Sequence, residues 1–236
     1  MRGDEPLASA VTAAIRGGDL AGLRRLLAGD AELARARIVD DSGGSRTLMH
    51  VLTDWPAKCP NGAQTVAVLV AAGADVNARF EGMHSETPLQ WAASADDVEV
   101  LDALLDAGAD IDADGAVIGG GTALADARAF AQWRAAHRLV ERGARVTLTD
   151  AATLGLRDDL ERLLPGATAD EVDAAFWGAC HGGQRECAER LLGLGAEVNW
   201  LPPWEPLTPF DAALRNGFDA LAGWLRRHGG KHATKL

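Results

Sequence analysis

The chain has 236 residues, 47% of them hydrophobic, and carries a formal net charge of −11. No run approaches the roughly 20 apolar residues of a membrane helix, and the opening Met1-Arg-Gly-Asp-Glu-Pro lacks a basic-then-apolar leader, so no membrane role is expected and the expected address is the cytoplasm. An acidic surface repels phosphate backbones, and the arginines stand singly among Asp and Glu with only three lysines, so nucleic acid is not expected as a partner.

Along the chain one pattern returns: a Thr-Pro-Leu start, a pair of small residues, then a Leu-Leu pair followed by Gly-Ala-Asp. A first unit near 9–29 lacks the Thr-Pro-Leu start, as an N-terminal cap would. A second spans 47–73. The third, 87–108, is the clearest, opening Thr87-Pro88-Leu89-Gln90-Trp91-Ala92-Ala93 and closing Leu104-Leu105-Asp106-Ala107-Gly108-Ala109-Asp110. The fourth spans 122–143, and a short, degenerate fifth covers about 146–166. The sixth runs 174–195, and the last, 208–229, carries Arg226 and Arg227 where leucine is usual, a polar outer face suited to a terminal cap. Thr87 to Gly108 is 21 residues, and the same interval separates Thr122 from Gly143 and Thr208 from Gly229.

Each element has a mechanical reason. Threonine is a good N-cap, and proline fits the first helical turn because its missing N–H has no partner there anyway. Ala92-Ala93 and Ala212-Ala213 allow close helix packing. Val98, Leu101, Leu104 and Leu105 repeat at helical spacing on the second helix, as do Cys187, Ala188, Leu191 and Leu192. Glycine then ends the helix in the left-handed conformation. No pair buries its stripe alone, so the units must stack.

These motifs resemble the ankyrin repeat, whose unit is about 33 residues long. The resemblance implies an all-α fold: a single domain over 1–236, an ankyrin-repeat solenoid of about seven stacked helix-turn-helix units with inter-repeat fingers. Gly119-Gly120-Gly121-Thr122 and Ala179-Cys180-His181-Gly182-Gly183-Gln184 further resemble bacterial ankyrin proteins, and the Ala, Arg and Gly richness fits a GC-rich bacterial genome; neither implies an activity.

Departures from a repeat are where function is most readily written. The second unit holds extra residues near Trp55-Pro56-Ala57-Lys58-Cys59-Pro60-Asn61-Gly62, whose prolines and Asn-Gly predict a loop between its helices. A long finger covers 112–121, and another holds Asn199-Trp200-Leu201-Pro202-Pro203-Trp204. Ankyrin proteins hold partners with finger tips and with the exposed side of the first helix. By position, the resemblance puts Asp54, Trp55, His84, Glu86, Trp91, Asp126, Phe130, His181, Trp200 and Trp204 on that concave face. Tryptophan is a strong anchor for a partner.

Plainer roles stand beside these. Trp91 fits core packing as well as contact, Trp177, Trp133 and Trp224 fit packing, and Trp200 and Trp204 fit a clamp on the last unit. His50 occupies the repeat's usual histidine slot and is expected to fix the adjoining loop. Cys59, Cys180 and Cys187, odd in number and without CxxC spacing, read as small buried hydrophobes, with no disulfide, metal or cofactor expected.

No nucleophile elbow, P-loop, dinucleotide glycine pattern or HExxH is present. Cys180 and His181 are adjacent in a helix and point about 100° apart. Asp126 and His181 are the speculative catalytic residues, yet they lie two units apart, about 20 Å at roughly 10 Å per helix layer. His84 or Glu86 with Asp126 is the acid–base pairing that neighbouring units permit. The expected function is an interaction module that grips a protein partner through a Trp-rich concave face. The alternative is a small-molecule binding protein or enzyme with a pocket under the inserted loops.

Overall fold

The computed structural model describes residues 1–55 and 58–236. It is mostly helical and divides into two compact units, Met1–Ala144 and Arg145–Leu236. Among the described residues no helix is long and apolar enough to cross a membrane.

The first unit holds four helix pairs: α1 (Pro6–Arg16) with α2 (Leu20–Gly29), α3 (Leu48–Thr53) with α4 (Gly62–Ala71), α5 (Pro88–Ser94) with α6 (Val98–Asp106), and α7 (Ala123–Ala129) with α8 (Trp133–Glu141). The first helices touch in the succession α1, α3, α5, α7, and the second helices in the succession α2, α4, α6, α8. The result is two parallel rows, each pair burying its neighbour's apolar stripe; Leu89, Leu101, Leu104, Leu124 and Leu139 are almost wholly shielded from solvent. The second unit repeats the plan with α9 (Leu148–Leu154) and α10 (Arg157–Leu163), α11 (Ala169–His181) and α12 (Arg185–Leu192), and α13 (Pro209–Arg215) and α14 (Asp219–Arg227). Phe176, Cys180, Cys187, Leu191 and Leu225 form its core.

Threonine sets the helix starts. Thr47, Thr87, Thr122, Thr147, Thr168 and Thr208 are the N-caps of α3, α5, α7, α9, α11 and α13. At α5 the cap is reciprocal: Thr87 Oγ1 accepts from the Gln90 amide, and Gln90 Oε1 accepts from the Thr87 amide at 2.6 Å. Glycines close the second helices with positive φ, +93° at both Gly108 and Gly143, a conformation that other residues enter only with strain.

Two features differ from the sequence reading. The fold is not purely α: Arg37–Val39 (β1) and Ser45–Thr47 (β2) pair as an antiparallel hairpin, because the 37–47 finger is long enough to satisfy its backbone against itself and against Glu81. Helix α11 begins at Ala169, ahead of the expected Ala174, because Thr168 and Glu171 form a capping box that extends it by more than a turn. The 55–62 insertion, expected as a loop, falls between α3 and α4, with Gly62 the first residue of α4 and with Pro56 and Ala57 outside the described residues. That loop is tied down by its neighbours, Lys58 Nζ donating to the Asp96 carbonyl at 2.8 Å and Asn61 Nδ2 to the Gly18 carbonyl at 2.9 Å.

Candidate functional site

In the first unit, four successive stretches of chain line an open cavity of about 500 Å³. Thr53, Asp54 and Trp55 reach it from the end of α3 and the inserted loop. Glu86, Trp91 and Ser94 come from the start and face of α5. Val117 comes from the 112–121 finger, and Phe130 and Gln132 from the turn between α7 and α8.

The positions of these side chains are set by hydrogen bonds that begin in the repeat itself. Buried His50 holds Thr47 Oγ1 against Nδ1 at 2.9 Å and meets the Glu86 carbonyl through Nε2 at 3.0 Å. Burial pushes its pKa down to about 4, against the opposing pull of the bond to Glu86. The ring is therefore neutral near pH 7, its Nε2–H donating to that carbonyl. The expected loop-fixing role of His50 thus also fixes where Glu86 leaves the finger. Trp91 packs edge-on against His50 at 4.8 Å between centroids and against Phe80 at 5.4 Å, leaving part of its ring to the cavity. Gln90, one residue away, donates through Nε2 to the carbonyls of Ala113 and Asp114 at 3.0 and 3.1 Å, so α5 also anchors the finger that supplies Val117.

Two aromatic walls remain open to solvent. Trp55 is 70% exposed and Phe130 45%, whereas Trp91 is half-buried. Asp54, at the rim, is already neutralised by Arg16 and Arg46, each 2.9 Å from Oδ2. Glu86 is only 8% exposed, and among the described residues no cation pairs with it.

Asp126 lies directly behind this wall. It has no solvent exposure, and Oδ1 accepts from the Ile118 amide at 3.3 Å, while Oδ2 has no hydrogen-bond partner. Burial raises its pKa to about 7; the Glu86 carboxylate adds to the rise, and the Ile118 amide, Arg128 and the Ser94 hydroxyl oppose it. A carboxyl so placed is costly to ionise unless a cation reaches it. Ser94 and Glu86, which act on it by hydrogen bond and by charge, are cavity residues, while Asp126 itself does not line the cavity. His84 is exposed on the same finger as Glu86 and does not line the cavity.

The second unit gathers His181, Trp200 and Trp204 into a cluster of its own. His181, expected on an open face, is instead buried at 2% exposure, with α13 packed against α11 and its Arg215 and the adjoining Asn216 against the ring. It stacks on Trp177 with centroids 5.2 Å apart and planes 15° apart, and Asn216 Nδ2 lies 2.9 Å from its Nδ1. Arg215 sits over Trp177 at 5.9 Å and pairs with Glu205 at 2.6 Å. Trp204 meets Trp177 edge-on at 5.9 Å and Trp200 at 5.7 Å. These contacts brace the last two helix pairs, with Trp204 still 53% exposed. Cys180 is wholly buried and its thiol pKa is pushed up by that burial, so it behaves as a core hydrophobe. Among the described residues no group of three His, Cys, Asp or Glu is placed to hold a metal ion.

Thus Asp54, Trp55, Glu86, Trp91 and Phe130 come together on one cavity, with Asp126 behind it, while His181, Trp200 and Trp204 belong to a separate cluster. Sequence reasoning missed Thr53, Ser94, Val117 and Gln132. Of these only Val117 had a signal, as a branched apolar residue in the middle of a Gly-rich finger. Residues 84–116 match the family model of the ankyrin repeat, a span that supplies Glu86, Trp91 and Ser94. No curated protein matches the chain.

Proposed function

The chain is an ankyrin-repeat protein, and from that premise we propose that it is an interaction module gripping a protein partner with the aromatic cavity of its first unit. One observation carries the reading: Trp55 and Phe130 stand open to solvent on the rim of a single cavity with half-buried Trp91. Large apolar rings exposed together on a folded surface mark a contact site, and a central aromatic pocket is what interface hot spots require. Within the first unit, the four helix pairs are read as ankyrin repeats with this cavity on their partner-binding side. On composition the protein is assigned to a bacterial cytoplasm. Trp200 and Trp204 are assigned to bracing the last unit rather than to the partner.

The test is affinity capture from the native host with wild-type chain and with Trp55→Ala. The reading expects one partner held by the wild type and reduced about tenfold or more by the variant, a loss usual for a central aromatic anchor. Equal capture by both chains would overturn it. A second reading, a small-molecule pocket, is favoured by the unpaired Asp126 Oδ2 behind the cavity wall; it predicts a ligand that survives removal of all other proteins and is released on denaturation.

A further inference from the structure

We propose that the first-unit cavity is a receptor for an alkylammonium group, seated against Glu86 and walled by the rings of Trp91, Trp55 and Phe130. The inference deepens the interaction reading and rests on it for the source of the cation, a lysine side chain of the partner.

Three observations converge on this ligand. The walls are aromatic, and aromatic faces attract a cation placed within about 6 Å of the ring centre, more so once water is excluded. Glu86 lines the same cavity with little exposure, and among the described residues no ion pair engages its carboxylate. Immediately behind it, Asp126 Oδ2 is buried without a hydrogen-bond partner. An apolar guest would leave both carboxyl groups worse solvated than before, and an anion would be repelled by them. A cation at Glu86 supplies that carboxylate with a countercharge and adds to the pull that Arg128 already exerts on Asp126.

The form of the cation follows from the geometry. The nearby guanidinium groups of Arg16 and Arg46 are committed to Asp54 at the rim, so they leave Glu86 to a ligand from outside. One lining carboxylate free of ion pairs among three rings suits a compact ammonium. A guanidinium seeks a planar bidentate acceptor, and Asp54, the acid on this cavity that already serves two guanidinium groups, is engaged. A cavity of about 500 Å³ accommodates the four-carbon stem of lysine with room to spare.

The experiment titrates n-butylammonium chloride into the full-length ¹⁵N-labelled chain and follows the indole N–H signals, assigned through Trp→Phe variants. The expected result is saturable movement of the Trp55 and Trp91 signals with Trp177 and Trp224 unmoved. Glu86→Gln should bind about tenfold more weakly, and n-butanol, the uncharged analogue, should bind about tenfold more weakly to the wild type. N-acetyl-lysine methylamide should bind at least as well as butylammonium. Butanol binding as tightly as butylammonium, or ethylguanidinium binding more tightly, overturns the inference, and these comparisons use only wild-type chain, so they hold even where Glu86→Gln fails to fold. Butylammonium binding with the lysine derivative excluded overturns the proposed source and points to a free amine. Loss of the captured partner on Trp55→Ala, together with no butylammonium binding, sinks this inference and leaves the interaction reading standing.

Discussion

The amide of Ile118 donates to Oδ1 of Asp126 at 3.3 Å, so a finger residue and a helix residue share a buried carboxyl whose second oxygen is unpaired. This pairing holds the 112–121 finger over α7 and places an acid of unusual pKa beside the aromatic cavity.

The first prediction concerns pH. Asp126 has a folded pKa of about 7 against an ordinary 3.8, so its contribution to stability is complete below pH 3.8 and is lost as pH rises through about 7. His50 has the opposite sign: with a folded pKa of about 4 against 6.5, its contribution is complete above 6.5 and is lost as pH falls through about 4. Between those limits the two slopes oppose one another. Asp126→Asn removes the falling slope and keeps that of His50, so stability should rise more steeply up to about pH 6.5. The variant should also be the more stable chain at pH 8, by on the order of 2 kcal/mol. Urea unfolding across this range checks it; parallel profiles for the two chains contradict it.

A second prediction tests close packing in the second unit. A Cβ on Gly182 would lie 1.9 Å from the Thr153 carbonyl oxygen, so α9 and α11 must part to admit it. Gly182→Ala should cost about 2–3 kcal/mol, whereas Gly29→Ala, with nothing within 4 Å of the added atom, should change stability by less than about 1 kcal/mol. Thermal melts compare them, and equal midpoints would show that α9 and α11 do not approach as described.

A third prediction concerns the outer row. The Asp102 carboxylate receives Arg138 Nε at 2.8 Å and Arg142 Nη1 at 2.7 Å, linking α6 to α8. All three side chains are partly solvated, so Asp102→Asn should cost only about 1 kcal/mol at low salt, shrinking in molar salt as screening weakens the charges. A cost unaffected by salt would mean that the carboxylate acts by packing and not by charge.

The repeat was legible because its marks are local: threonine caps, Ala-Ala pairs and terminal glycines each act within one turn. The same locality explains the failures. The 37–47 hairpin depends on pairing with Glu81, far along the chain, and the early start of α11 on a Thr168 cap that breaks the regular interval. Trp55 and Trp91 were legible as departures from the repeat, Glu86 and Phe130 by their position on the expected concave face. Their meeting with Ser94, Val117 and Gln132 was not, because it depends on how Gln90 pins one finger and Lys58 and Asn61 pin the inserted loop. His181 was misplaced because its exposure is decided by Asn216 and Arg215 of the following helix pair, which no local signal reveals.

The central claim is that a partner seats in the cavity rimmed by Trp55 and Phe130. Placing a photoreactive phenylalanine analogue at 55 or 130, with a third chain carrying it at exposed position 194 in the second unit, tests this most directly. The account predicts that irradiation in the native host joins the same partner covalently to positions 55 and 130 and leaves position 194 unlinked. Crosslinking from 194 with none from 55 or 130 would contradict it.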